Sequence, residues 1–204
     1  MRIVAWNVGP RSRWKILRSF RDIEPANKAK VVALFEASHP LLVALLRARY
    51  PHRRVICHRS DVVAIVKRGT PRPRVEVVGH DDAWTGPHLG RAKQGRRWLL
   101  LVWDDEAFLL VHRVTPAGNG QAWEAEREVI RSIVRRVDLP DRLAIIGDHN
   151  KRDHELRDEY DELGLTLLPV NAKVDQCAVR GLLGEGKRLG NHGSDHVAIL
   201  WRLR

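Results

Sequence analysis

The sequence predicts a single mixed α/β domain over residues 1–204. Three observations carry that reading. The chain has 204 residues, strand-length apolar runs alternate with amphipathic helical stretches, and polar residues recur where the apolar runs stop. A fold of ~150–250 residues buries about 70% of its unfolded surface in one core, so a single domain suffices. With 44% apolar and 30% charged residues and no low-complexity run, the chain is neither disordered nor fibrous. No apolar stretch approaches the ~18 residues of a membrane span, and Met1-Arg2 leads straight into Ile3-Val4-Ala5-Trp6. A soluble, cytoplasmic protein without membrane association is expected. Cys57 and Cys177 are far apart, with no Cys or His at zinc-ligand spacing, and read as two buried thiols.

The elements follow in order. Ile3-Val4-Ala5-Trp6-Asn7 reads as a buried strand stopped by Gly9-Pro10, and residues 12–22 as a short basic helix. Val31-Val32-Ala33-Leu34-Phe35 is a second strand, ending at Glu36. His39-Pro40 opens a helix to Arg49 with Leu41, Leu42, Leu45 and Leu46 as its apolar stripe, closed by Pro51. Short strands at Arg54–His58 and Val62–Val66 precede a basic segment rich in Gly and Pro, expected to be mostly loop and edge strand. Trp98–Trp103 and Ala107–His112 form a hairpin. Gln121–Val137 is the clearest helix, with Trp123, Ile130, Ile133, Val134 and Val137 on one stripe. Leu143-Ala144-Ile145-Ile146 is a strand running into Gly147-Asp148-His149-Asn150, followed by a charged helix near 152–162. Lys173–Val179 is a strand holding Asp175, Gly181 to Gly193 a glycine-rich loop, and Val197–Leu203 the last strand after Ser194-Asp195-His196.

The strand ends carry the chemistry. Layered α/β folds hold ligands beyond one end of their strands, where side chains are fixed and loops leave room. Asn7, Glu36, His112, Asp148, Asn150 and Asp195-His196 all sit at or beside such ends. Carboxylate and carboxamide oxygens with imidazole, and no thiolate, suit a hard divalent cation such as Mg²⁺ or Mn²⁺. Each piece also has an ordinary explanation. Asn after a strand is commonly a turn residue, and Gly-Asp-x-Asn and Ser-Asp-His are compatible with local turns and caps. Glu36 and Asp175 are harder to dismiss. A carboxylate closing or interrupting an apolar run must reach water, a partner or a metal, and histidine is a suitable partner for Asp175.

Taken together, "RIVAWNV", "VVALFE", "FLLVHRVTP", "LAIIGDHN", "VDQCAV" and "GSDHVAIL" resemble, in this order and over almost the whole chain, the endonuclease/exonuclease/phosphatase superfamily. The resemblance implies a four-layer α/β/β/α sandwich of two packed mixed sheets and a Mg²⁺-dependent (or Mn²⁺-dependent) phosphoesterase. By it, Glu36 is the principal metal ligand, with Asn7 and Asp195 completing the metal and water shell. His196 would contact the scissile phosphate and Asp175 would orient it. Asp148 would align or deprotonate the attacking water, and Asn150 and His112 would contact phosphate oxygens. The chain departs from the family at Phe35, where glutamine is common, and at His149, where the usual residue is apolar. A packed or hydrogen-bonded ring is expected for His149.

Charge addresses the substrate. The net charge is +11, and residues 1–97 carry 21 Lys/Arg against 7 Asp/Glu, whereas residues 98–204 carry 15 against 18. Basicity belongs to the first half. Arg53, Arg54, Arg68, Arg91, Arg96 and Arg97 are read as a phosphate-tracking rim with Trp84 as a stacking side chain, against the plainer reading of a solvated loop. A nucleic-acid phosphodiesterase acting on DNA in preference to RNA is expected. The alternatives are a phosphoesterase of the same fold acting on RNA or a small phosphorylated substrate, and a basic nucleic-acid-binding module without catalysis. A calcineurin-like phosphoesterase is disfavoured because the first strand lacks Asp-x-His.

Overall fold

A computed structural model describes residues 1–9, 13–23, 28–58, 60–84, 93–116, 119–170, 175–190, 192 and 194–204. The elements are β1 (Arg2–Asn7), α1 (Arg13–Asp22), β2 (Val31–Phe35), α2 (Pro40–Arg49), β3 (Arg53–Ile56), β4 (Val62–Lys67), β5 (Arg74–Trp84), β6 (Lys93–Val102) and β7 (Ala107–His112). They continue with α3 (Gly120–Val134), β8 (Leu143–Asp148), α4 (Asp153–Asp161), β9 (Thr166–Leu167), β10 (Asp175–Arg180), β11 (Gly184–Gly190) and β12 (Ala198–Leu203). Two six-stranded sheets result, ordered β11-β12-β1-β2-β4-β3 and β5-β6-β7-β8-β10-β9. Both are mixed: β1 runs parallel to β2 and β7 to β8, while their other neighbours are antiparallel.

Strand alternation creates the layers. On β1, Ile3 and Ala5 face the opposite sheet and meet Phe35, Leu99, Phe108, Ile146 and Trp201 in the central core. Val4 and Trp6 face outward onto Ile16 and Phe20 of α1 and Leu42 and Leu46 of α2. The second sheet repeats the arrangement, with Leu109, Val111 and Ile145 packed on Ile130 and Ile133 of α3 and on Leu156 and Tyr160 of α4. Strands covered on both faces must be apolar throughout, which is why they read as continuous apolar runs. This is the expected α/β/β/α sandwich. Among the described residues no helix is long and apolar enough to cross a membrane.

Several local expectations shift. Helix α3 ends at Val134, so Val137 leaves the stripe and is fully exposed. On α2 the buried set is Leu42, Val43 and Leu46, and Leu41 is half exposed. The His39 ring accepts the Leu41 N–H at 3.2 Å and caps that helix. The basic segment supplies an 11-residue strand, β5, paired with a β6 that begins at Lys93. The glycine-rich stretch likewise forms edge strand β11. A side chain at Gly186 would meet Trp201 Cζ3 at 2.6 Å, and one at Gly184 the Arg202 carbonyl oxygen at 2.5 Å. These glycines permit close strand packing. Cys57 and Cys177 are both free thiols, the latter buried.

Candidate active site

Sheet register brings one end of each sheet to a common point. Asn7 lies beside Phe35, the residue before Glu36; His112 lies beside Asp148; and Asp148 lies opposite Asp175. Strand β12 begins at Ala198, antiparallel to β1, so Ser194-Asp195-His196 enters at the same end.

Asn7 ties the two sheets together. Its Nδ2 donates to Glu36 Oε1 at 3.2 Å and to Asp148 Oδ2 at 2.9 Å, while its Oδ1 accepts the Gly9 N–H at 2.9 Å. The Gly9 donor fixes which end of the amide is oxygen. Asn7 therefore presents N–H to both carboxylates, while its oxygen accepts from the chain. Glu36 itself has φ 59°, a left-handed conformation uncommon for a non-glycine residue, as does Asn150 at φ 51°. Strain of this kind, on the order of 1–3 kcal/mol, persists where surrounding contacts over-determine the backbone.

Asp148 and Asp175, both buried, form a unit with the half-buried His196. His196 Nδ1 lies 3.0 Å from Asp175 Oδ2 and 3.7 Å from Asp148 Oδ2. Burial acts to lower the His196 pKa, but the hydrogen bond and charge of Asp175, with Asp148 and Asp195, outweigh it and lift it to about 9. Burial first, then the neighbouring Asp175 charge, raises Asp148 to about 7 against the pull of His196, the Asn150 N–H and the Asn7 amide. Asp175 is raised too, chiefly by burial. The neighbouring carboxylates thus favour the charged form of His196, and burial raises the proton affinity of Asp148 beside it.

The motif around Asp148 has a steric origin. At Gly147 a side chain would lie 1.9 Å from the Val111 carbonyl oxygen, so only glycine lets β8 pass β7 here. The Asn150 N–H donates to Asp148 Oδ1 at 2.9 Å, and its Nδ2 donates to the Arg113 carbonyl at 2.6 Å. One amide proton of Asn150 is thereby turned toward the chain, and the residue serves first as a brace for Asp148. His149 is fully buried with Nδ1 2.7 Å from the Tyr160 hydroxyl, and burial holds its pKa well below 6.5. That is the packed, hydrogen-bonded ring expected.

His112 completes the pocket. Its Nε2 is 3.4 Å from Glu36 Oε1 and 3.8 Å from Asp148 Oδ2, and its Nδ1 is 2.7 Å from Arg96 Nη1. Asn7, Glu36, His112, Asp148, Asn150, Asp175, Asp195 and His196 are thus gathered at one end of the sandwich.

Among the described residues the expected basic rim is divided between the two ends of the sandwich. Arg53 and Arg54 pair with Lys67 and Val66, and β4 runs antiparallel to β2, so Arg53, Arg54 and Arg68 lie at the opposite end from Glu36. Arg53 is also buried and donates to the Ala29 carbonyl at 3.0 Å. Arg96 is buried behind His112. Arg97, at the active-site end of β6, is partly exposed and bonds Asp81 and the His80 carbonyl. Arg91 and the side chain of Trp84 fall outside the described residues.

Sequence reasoning missed Arg96 as the partner of His112, and it missed the buried support beneath the site. There Arg113 pairs with Glu159 at 2.8 Å and stacks on Trp123 at 3.6 Å, and Glu126 accepts the Val114 N–H at 3.0 Å. An arginine directly after an apolar strand was the available signal. Ser194 was quoted only as part of a motif; its hydroxyl donates to the Asn7 carbonyl at 2.8 Å and accepts the His196 N–H at 3.2 Å, fixing the loop that delivers His196.

Two groups have metal-ligand chemistry. Asp148, Asp175 and His196 each offer one ligand atom within 4.8 Å of the others. However, both Asp148 oxygens already accept hydrogen bonds and His196 Nδ1 is engaged by Asp175. Glu36 and Asp195, with side chains 39% and 79% exposed, face the open end with oxygens that suit a hard cation. By donor chemistry the oxygens of Glu36 and Asp195 fit a hard divalent cation, whereas Asp148, Asp175 and His196 are the group whose ligand atoms lie close together.

The fold has known counterparts. D. rerio TDP2 complexed with single-strand DNA product matches with a TM-score of 0.68 and 14% identity, over 100% of this chain and 98% of that one. The 3' phosphatase NExo from Neisseria bound to product DNA hairpin matches at 0.65 and 18%, over 100% and 99%. An endonuclease/exonuclease/phosphatase family protein from Leptotrichia buccalis matches at 0.69 and 14%, over 100% and 99%. No protein-family model and no curated protein matches the sequence. The chain has the endonuclease/exonuclease/phosphatase fold.

Proposed function

We propose that the protein is a divalent-metal-dependent phosphodiesterase that hydrolyses a nucleic-acid backbone, with DNA as the favoured substrate. The observation that carries the reading is the hydrogen-bonded series Glu36–Asn7–Asp148 with His196–Asp175 beside it, assembled from both sheets at one open end.

Hydrolysis of a phosphodiester needs an aligned water, a site for its proton, and stabilisation of charge on the phosphoryl oxygens. Asp148, with a pKa raised to about 7, is a carboxylate able to orient water and accept its proton at neutral pH. His196, held charged by Asp175, meets developing negative charge on the phosphoryl group. His112 contacts a phosphoryl oxygen from the other side, and Asn150 keeps Asp148 in place. Mg²⁺ or Mn²⁺ held by Glu36 and Asp195 would neutralise phosphate charge and polarise the phosphorus centre. Asn7 sets the carboxylates that flank it.

The net charge of +11 supports a polyanionic substrate. The DNA products bound to TDP2 and NExo support DNA within the same fold. The test is a panel of supercoiled, linear, single-stranded and abasic DNA, RNA and inositol phosphates with Mg²⁺ and Mn²⁺. Cleavage of DNA abolished by EDTA is expected. Turnover of inositol phosphates alone would move the substrate class, and binding of DNA without cleavage under either metal would refute catalysis.

A further inference from the structure

The two imidazoles of the pocket are backed by opposite chemistry. Behind His196 Nδ1 stands a carboxylate, Asp175. Behind His112 Nδ1 stands a guanidinium, Arg96, at 2.7 Å. A guanidinium has five N–H donors and no acceptor, and it stays protonated. For so short a contact, His112 Nδ1 must present its lone pair. The proton of the ring is then on Nε2, which points toward Glu36 Oε1 at 3.4 Å and Asp148 Oδ2 at 3.8 Å. Nε2–H therefore faces the carboxylate side of the pocket, away from Arg96.

Arg96 is built for this place. Its side chain is 3% exposed, and Asp61 lies 3.4 Å from the same Nη1. A buried guanidinium is costly without such compensation. The ring it holds is fixed from the backbone side as well, because Trp98 Nε1 donates to the His112 carbonyl at 3.1 Å. Residues 96 and 98 lie on one face of β6, so one strand presents both restraints.

We propose that Arg96 is a positioning residue that locks His112 as its Nε2–H tautomer, making His112 a hydrogen-bond donor to a phosphoryl oxygen. In that state His112 has no lone pair facing the reacting centre and does not take the proton of the attacking water. That proton goes to Asp148. The phosphoryl role rests on the function proposed above; the tautomer lock does not.

The experiment uses the full chain labelled with ¹⁵N-histidine, and long-range ¹H–¹⁵N correlation reads which ring nitrogen of His112 carries the proton. The signal is assigned by its loss in His112→Gln. Protonated Nε2 is expected in the wild type and in Arg96→Lys, which keeps a donor, whereas Arg96→Met should release the ring to a tautomer mixture. Protonated Nδ1 in the wild type, or an unchanged tautomer in folded Arg96→Met, overturns the proposal. If Arg96→Met fails to fold, the wild type and Arg96→Lys still decide.

The kinetic arm should show kcat reduced by about 10-fold or more in Arg96→Met with KM changed less than about 3-fold, and recovery in Arg96→Lys. His112→Gln, whose amide reaches the place of Nε2, should retain more turnover than His112→Asn; the reverse order counts against the donor role. A wild type that cleaves nothing would refute the proposed function, while the tautomer measurement would still decide the lock.

Discussion

Asp175→Asn removes one negative charge from behind His196 while preserving the shape of the side chain. Its effect follows from the geometry. Asp175 Oδ2 lies 3.0 Å from Nδ1 and is the foremost contributor raising the His196 pKa, from 6.5 to about 9, against burial. That rise corresponds to about 3 kcal/mol in favour of the imidazolium. With asparagine the burial remains and the main opposing interaction goes, so the pKa returns toward 6.5. At pH 8 the charged fraction then falls from about 90% to about 3%, a loss of roughly 30-fold in turnover if the charged ring is required. Asp175 also raises Asp148 through like-charge repulsion. The acidic limb therefore moves down with the alkaline limb. The assay is kcat for plasmid cleavage across pH, with the metal fixed. The wild type should show a bell with limbs near 7 and 9, and Asp175→Asn the same bell displaced toward acid. An alkaline limb that stays near 9 would refute the reasoning. Stability carries the same sign. His196 has a folded pKa above its unfolded value, so its contribution is fully present below about pH 6.5 and is lost as pH rises through about 9. Unfolding of the variant should lack that part of the pH dependence.

Other outcomes follow from the same arrangement. His196→Ala and Asp148→Ala should each lower kcat by about a thousandfold with DNA affinity changed only a few-fold, measured by single-turnover cleavage beside equilibrium binding. Glu36→Gln should weaken Mn²⁺ binding measured by calorimetry and reduce cleavage at limiting metal, with partial recovery at high metal concentration. Arg97→Glu, at the active-site end of β6, should weaken DNA binding and flatten its salt dependence, whereas Arg68→Glu, at the far end, should leave the salt slope unchanged. Gly147→Ala should lower stability by on the order of 2–4 kcal/mol, read by denaturant unfolding, because its methyl group would lie 1.9 Å from the Val111 carbonyl oxygen.

The layers were legible because buried strands write themselves as apolar runs. Val31–Phe35 and Leu143–Asp148 occur where the sequence places them, and their polar ends mark the site. Glu36 and Asp175 stood out because a carboxylate beside such a run needs a partner, and each has one in Asn7 or His196, whereas Asp148 sat in a motif equally compatible with a local turn. What remained hidden depends on strand direction and side-chain aim. The basic half of the chain is a fact of composition, yet antiparallel pairing of β3 and β4 carries Arg53, Arg54 and Arg68 away from the pocket. Arg96 and Arg97 are neighbours in sequence but point to opposite faces of β6, so one is buried behind His112 and the other reaches Asp81. Glycine misled in β11, where its small size permits packing against Trp201.

The most direct test is isotopic: cleave a labelled DNA oligonucleotide in H₂¹⁸O with Mn²⁺ and weigh the phosphate-bearing product. Water attack at this pocket predicts one ¹⁸O atom in each phosphomonoester formed by the wild type, and about a thousandfold slower product formation by His196→Ala. Product without the heavy oxygen, or equal product from the variant, would contradict it.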